Sequence, residues 1–189
     1  MPQGRASLRQ LAANRPLRKP ADVHGLLRRV SGGEVPRAVS ESRGATPVKM
    51  PICNVIDTLT SGMVTRQENT WANIFSRRFY THKDGITGTD HGVTDLMLVT
   101  STACSEKLAP SPRDDPTRTG GDATHAYNRF SFEINELAKV RMPANGGVVR
   151  RPMSAERAAW VGAFEPVWPR FKDQIGAELI QAVRRGSAG

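Results

Sequence analysis

The spacing of hydrophobic and polar positions predicts a layered α/β protein. Residues 1–14 are polar and basic and read as a frayed lead-in. Pro20-Ala21-Asp22-Val23-His24-Gly25 reads as one helical turn, opened by proline and stopped by glycine. Leu26-Leu27-Arg28-Arg29-Val30 follows as a short strand ended by Ser31-Gly32-Gly33. A helix from about Glu34 to Ser42, closed by Gly44, leads to a second strand at Pro47-Val48-Lys49-Met50. Ile52, Val55, Ile56 and Leu59 recur at the spacing of a helix face, with Gly62 as the stop and Met63-Val64-Thr65 as a third strand. Trp71, Ile74, Phe75 and Phe79 form the buried stripe of a helix from Glu68 to Tyr80. This β-α-β-α-β-α order predicts a largely parallel sheet covered by helices.

The second half is more helical. Thr94-Asp95-Leu96-Met97-Leu98-Val99-Thr100 reads as a buried strand, and residues 109–121, with three prolines and two glycines, as a loop. A helix from Ala123 to Val140 is expected to bury Tyr127, Phe130, Ile134 and Leu137. Asn145-Gly146-Gly147 makes a turn before a short strand at Val148-Val149. Ser154 is the expected N-cap of a last helix, with Glu156 in its first turn. Its inner face is Trp160, Phe164, Trp168, Phe171, Ile175 and Leu179, and Pro166 and Pro169 predict a kink. No internal repeat is evident.

A length of 189 residues allows one domain, or one lobe of a larger protein. The net charge of +9, mostly arginine, raises nucleic acid, anionic membranes and acidic small molecules as partners. The arginines are scattered over helices and loops, and two tyrosines offer little for base stacking, which argues against nucleic acid. No stretch reaches the ~20 apolar residues of a membrane span, and no secretory leader is visible after Met1-Pro2-Gln3-Gly4-Arg5. Cys53 and Cys104 read as two buried free thiols, with a single disulfide as the alternative. His24, His82, His91 and His125 sit in unrelated segments and suggest no metal site. Phosphate-cradling glycine loops, a nucleophile elbow and a zinc-protease helix are all absent, so no cofactor and no enzymatic activity is implied.

Two residues carry candidate binding chemistry. Arg29 ends a short apolar strand, where an open α/β sheet presents its crevice, and its guanidinium can grip a carboxylate with paired hydrogen bonds. The alternative is an exposed strand-end arginine. Asn69 opens the predicted helix after the third strand and could offer its amide and the helix-start donors to an anion. The alternative is that Asn69 only caps that helix.

Four phrases, in order, resemble the DctP family of TRAP transporter solute-binding proteins. Asn14-Arg15-Pro16-Leu17-Arg18-Lys19-Pro20-Ala21-Asp22-Val23-His24-Gly25-Leu26-Leu27-Arg28-Arg29-Val30 is similar to the family's N-R-P-I-x-x-P-A-D-L-x-G-L-K-x-R-V. Gly44-Ala45-Thr46-Pro47-Val48-Lys49-Met50 continues the match, and Gln67-Glu68-Asn69-Thr70-Trp71-Ala72-Asn73-Ile74 resembles Q-E-N-[PT]-x-x-N-I. The stretch from Met153 to Ile180 is similar to the family's long C-terminal helix.

The resemblance implies a periplasmic-binding-protein-like α/β fold: the second lobe, inter-lobe crossing strands and long C-terminal helices, with the first lobe mostly missing. It divides the chain into a basic N-terminal segment (1–13), a truncated solute-binding domain (14–185) and a tail (186–189). Arg29 matches the family's carboxylate-clamping arginine, and Asn69 the asparagine of the same site. The implied function is binding of a small organic acid, such as a dicarboxylate, for delivery to TRAP membrane subunits from the periplasm, without direct membrane insertion. A truncated, non-functional remnant and a basic nucleic-acid-binding protein are the alternatives. Three local departures stand out. Thr65-Arg66 replaces the usual Asp-Gly before Gln-Glu-Asn, Ile52-Cys53-Asn54-Val55-Ile56 replaces F-S-E-V-Y, and residues 112–123 are Pro/Gly-rich where the family has a helix.

Overall fold

The longest strand runs through the segment expected to fray. Leu11, Ala12 and Ala13 are fully buried, and the computed structural model, which describes residues 3–82, 84–97, 99, 101–107 and 110–186, places them in the central strand of the sheet. In chain order the elements are β1 (Gln3–Ala13), β2 (Leu27–Val30), α1 (Glu34–Glu41), β3 (Thr46–Lys49), α2 (Val55–Thr60), β4 (Arg66–Thr70) and α3 (Trp71–Ser76). Then come β5 (Gly85–Thr87), β6 (Val93–Met97), α4 (Thr102–Glu106), α5 (Pro110–Ala144), β7 (Val149–Arg150), α6 (Ser154–Phe164), α7 (Lys172–Ile175) and α8 (Ala177–Gly186). Short 3-10 turns lie at Pro20–Val23, Ile52–Asn54, Phe79–His82 and Glu165–Phe171.

The sheet is mixed and seven-stranded, in the order β3-β2-β4-β1-β5-β7, with β6 pairing β1 outside that path. β2 runs parallel to β3 and β4, as the β-α-β pattern predicts, whereas β1 is antiparallel to β4, β5 and β6. The lower half of β1 pairs with β4 and β5, and its upper half pairs with β6. One strand thus serves two parts of the sheet, a role that no helical or turn signal in residues 3–13 announces.

Alternation along β1 and β4 separates two cores. Paired residues share a face, so Leu11/Glu68 and Ala13/Arg66 lie on one side, and Gln10/Asn69 and Ala12/Gln67 on the other. Leu11 and Ala13 join Leu17, Val23, Leu26 and Trp160 in one cluster. Ala12 joins the larger cluster of Val55, Leu59, Trp71, Ile74, Phe79, Ile86 and Met142 on the opposite face. Each large apolar side chain so buried stabilises the fold by roughly 1.5–3 kcal/mol. Gly44 (φ +67°) closes α1, and a Cβ there would meet the His24 ring.

Several elements differ from the sequence pattern. Residues 66–70 form strand β4, not the third strand at 63–65, and the helix after it starts at Trp71. Gln67, Glu68 and Asn69 therefore lie in a strand, because β1 provides it with an antiparallel partner. Thr70 Oγ1, not Asn69, caps α3 by accepting from the Asn73 N–H at 3.4 Å. Strand β6 is exposed instead of buried, and Leu98 and Thr100 of that predicted run lie outside the described residues. The Pro/Gly-rich stretch from 110 to 121 is helical, forming the start of the 35-residue α5. Pro110 and Pro112 sit in the first turn, where a missing N–H has no intrahelical acceptor to lose.

Helix α5 is also rotated from the expected face. It buries Ser131, Asn135, Ala138 and Met142, while Phe130 is 59% and Leu137 45% exposed. Asn135 fixes that rotation, since its Oδ1 accepts from the Ala72 N–H at 3.0 Å. Phe132, Val140, Leu96 and Met97 are exposed as well, so α5 and β6 present uncovered apolar surface. Met153 rather than Ser154 is the cap of α6, its N–H donating to Glu156 Oε2 at 2.8 Å. The expected single kinked helix is broken into α6, a 3-10 turn, α7 and α8, with Pro166 and Pro169 inside the turn and Gly176 at φ +92°. Ile175 and Leu179 are exposed, unlike Trp160 and Phe171. Cys53 and Cys104 are free but exposed rather than buried. Among the described residues, no helix is long and apolar enough to cross a membrane.

Candidate functional site

The site begins with the register of β2 and β4. Arg28 pairs with Arg66 across parallel strands, which puts Arg29 beside Gln67, with Asn69 two residues further along the same face. The two sequence-predicted residues are thus brought onto one face of neighbouring strands. Arg29 is 9% exposed, and its Nε donates to the Met50 carbonyl at 3.1 Å. Among the described residues, none accepts from its two terminal nitrogens. Burial and the nearby Arg9 lower its pKa against the opposing pull of Glu68. The guanidinium is therefore aimed by one backbone bond and keeps donors to spare.

Asn69 is fixed in the complementary sense. Its Oδ1 accepts from the Thr70 N–H at 3.0 Å and from Asn73 Nδ2 at 2.8 Å, so the oxygen is committed. Its Nδ2 has no acceptor among the described residues and remains a donor. Gln10, directly across from Asn69, is held by Asp90: Gln10 Nε2 donates to Oδ1 at 2.7 Å, and the Asp90 N–H donates back to Gln10 Oε1 at 3.2 Å.

The opposite face holds a buried ion cluster that the sequence reading missed. Glu68 Oε1 accepts from Arg9 Nη1 at 3.1 Å, and Oε2 accepts from Arg28 Nη2 and from His91 Nε2, the latter at 2.7 Å. Thr89 Oγ1 lies 2.7 Å from His91 Nδ1. Burial opposes the charge on Glu68, but Arg28, His91 and Arg66 outweigh it and hold the carboxyl well below the usual range. Burial pushes His91 down despite Glu68, so the ring is neutral at pH 7, with its Nε2 proton on the carboxylate and Nδ1 accepting from Thr89. Arg66, desolvated and beside Arg28, is pushed down to about 9 and stays charged at neutral pH.

Arg9, the partner of Thr70 in the register, belongs to the cluster face. Its Nε donates to Thr94 at 3.0 Å, its side chain is 30% exposed, and its charge reaches Arg29. The sequence signal for this cluster was the two-residue alternation of Arg66, Glu68 and Thr70, hidden once the segment was read as helical. Two surface grooves, one of about 540 Å³ beside Trp168 and Ile180 and one of about 280 Å³ beside Arg37 and Arg170, include neither Arg29 nor Asn69.

A mixed sheet with helices on both faces thus displays anchored cationic and amide donors. Residues 3–174 match the model of the bacterial extracellular solute-binding protein family 7, DctP, and the chain belongs to that family. It is 37% identical over 175 residues to the C4-dicarboxylate-binding periplasmic protein DctP of Vibrio cholerae, covering 93% of this chain and 53% of the relative. The corresponding protein of Shewanella loihica is 34% identical over 177 residues, with 93% and 52% covered. The chain spans about half the length of these curated relatives.

Solved structures agree on the fold. A TRAP periplasmic solute-binding protein from Shewanella oneidensis with bound succinate superposes with a TM-score of 0.90 at 33% identity, covering 95% of this chain and 59% of the other. One from Pseudomonas aeruginosa with bound L-malate gives 0.85 at 26% identity, covering 89% and 59%. The family is one of transport-associated binding proteins, not enzymes.

Proposed function

We propose that this chain provides the carboxylate-gripping side of a periplasmic organic-acid receptor that delivers its ligand to TRAP membrane subunits. The observation that carries this reading is Arg29: an arginine aimed by Met50, with both terminal nitrogens free of acceptors among the described residues. Those nitrogens match the geometry of a carboxylate, and paired charged hydrogen bonds are the strong ones. Asn69 adds a neutral donor on the same face, and Arg9 a second cation nearby. The succinate- and malate-bound relatives support a C4-dicarboxylate as the ligand class. A diacid would place one carboxylate on Arg29 and turn the other toward the Asn69 amide on the same face.

In this reading a second lobe supplies the opposite wall, and the uncovered apolar surface of α5 and β6 is where the remainder of such a receptor packs. The chain alone leaves its ligand half-hydrated, which reduces charged contacts toward the value of surface ion pairs. Isothermal titration with succinate and L-malate tests the reading. The chain should bind in the millimolar range, equivalent to about −4 kcal/mol, and Arg29→Ala should abolish binding. Undiminished binding in Arg29→Ala would remove the proposed site; sub-micromolar binding by the chain would show that no second wall is needed.

A further inference from the structure

Arg28 and Arg66 face one another as register partners on β2 and β4, 1% and 2% exposed, and like charges directly opposed across a sheet repel. Among the described residues their shared counter-charge is Glu68, which is also engaged by Arg9 and by a neutral His91. Arg28 spends its remaining donors on Pro36 O at 3.2 Å and Ser40 Oγ at 2.9 Å, but its Nε is buried without a partner. Arg66 is in a poorer position. Its Nε is likewise buried and unpartnered, and its guanidinium makes no hydrogen bond to any described residue. The interior therefore holds two buried guanidinium charges against one carboxylate, with unpaired donors on both arginines. An uncompensated buried charge is strongly destabilising, whereas one balanced by a hydrogen-bonding counter-ion is tolerated.

We infer that the Arg28–Arg66 pair is an anion site, taking a small monovalent inorganic anion of the chloride class on the sheet face opposite Arg29. A single negative charge balances the excess, and the unpartnered N–H groups are the donors that such an ion requires. This site is separate from the solute site, because alternation puts Arg28 and Arg29 on opposite faces.

Thermal melting of the chain at constant ionic strength, exchanging methanesulfonate for chloride, reads the effect. Chloride should raise the melting temperature by about 2–4 °C in the wild type, because an ion bound only by the folded state stabilises it. The shift should persist in Arg29→Ala and vanish in Arg66→Gly. Chloride-35 NMR gives a second readout that does not depend on a variant folding well: the wild type should broaden the signal saturably, with bromide competing. Equal melting in both salts, no saturable broadening, or an unchanged chloride effect in a folded Arg66→Gly would each overturn the proposal.

Discussion

Arg28 and Arg29 are neighbours in sequence and opposites in circumstance. Arg28 faces the cluster around Glu68, pinned by a carboxylate, a hydroxyl and a carbonyl. Arg29 faces the other way, held at one nitrogen by Met50 and otherwise uncommitted. The same side chain is structural on one face of the sheet and available on the other, and only the two-residue period of a strand separates the roles. A binding face needs rigid donors that are not used up. Here the rigidity comes from the far side: Glu68 and its partners lock β1, β2 and β4 together, and Asn69 and Arg29 emerge from that locked register.

The comparison is broken most severely at Glu68. Glu68→Gln removes the carboxylate that Arg28, Arg9 and His91 engage and should cost about 3–5 kcal/mol. In a chain of this length that is a melting drop on the order of 10 °C, measurable by calorimetry; a loss below 1 kcal/mol would show that the cluster is not structural.

Acidification attacks the same face next. His91 is depressed from 6.5, so below that value the unfolded chain takes up a proton that the folded chain refuses. Glu68 is depressed from 4.5, so its contribution is complete above that value and disappears as pH falls through its folded pKa. Both signs agree. Urea midpoints should fall steadily from pH 7 to pH 4, and a flat profile would contradict the buried assignment of both groups.

Arg29→Ala sharpens the contrast from the other side. Stability should change by no more than about 1 kcal/mol, while succinate affinity should lose about 1.5–3 kcal/mol, the value of charged hydrogen bonds. Asn69→Ala is the mildest change, about 0.5–1.5 kcal/mol in affinity from one neutral donor, read by the same titration. A larger stability loss than affinity loss in either variant would return these residues to a structural role.

Much of the fold was legible, and the reasons for the misses are specific. Glycine stops and apolar spacing located β2, α1, β3 and α2, because those elements bury their own side chains against near neighbours. β1 and β4 were not legible, since each is a strand only by virtue of the other and they are more than 50 residues apart along the chain. Arg29 was placed on its true element, whereas Asn69 was assigned to a helix start that Thr70 occupies. His91 looked like a loop histidine because nothing local reveals that it meets Glu68, and Arg66 like a turn substitution because the helical reading hid its alternation with Glu68. Helix α5 misled by composition: Phe130, Phe132, Leu137 and Val140 are exposed, and a stripe of Ser131, Asn135, Ala138 and Met142 packs inward.

The most direct test of the account is a proton–nitrogen NMR spectrum of the arginine Nε–H groups, recorded during a succinate titration. The account predicts that the Arg29 signal shifts saturably while the Arg28 signal, one residue away on the opposite face, does not move. A shift at Arg28 equal to that at Arg29, or none at Arg29 at concentrations where binding is otherwise detected, would contradict the division of labour between the two faces.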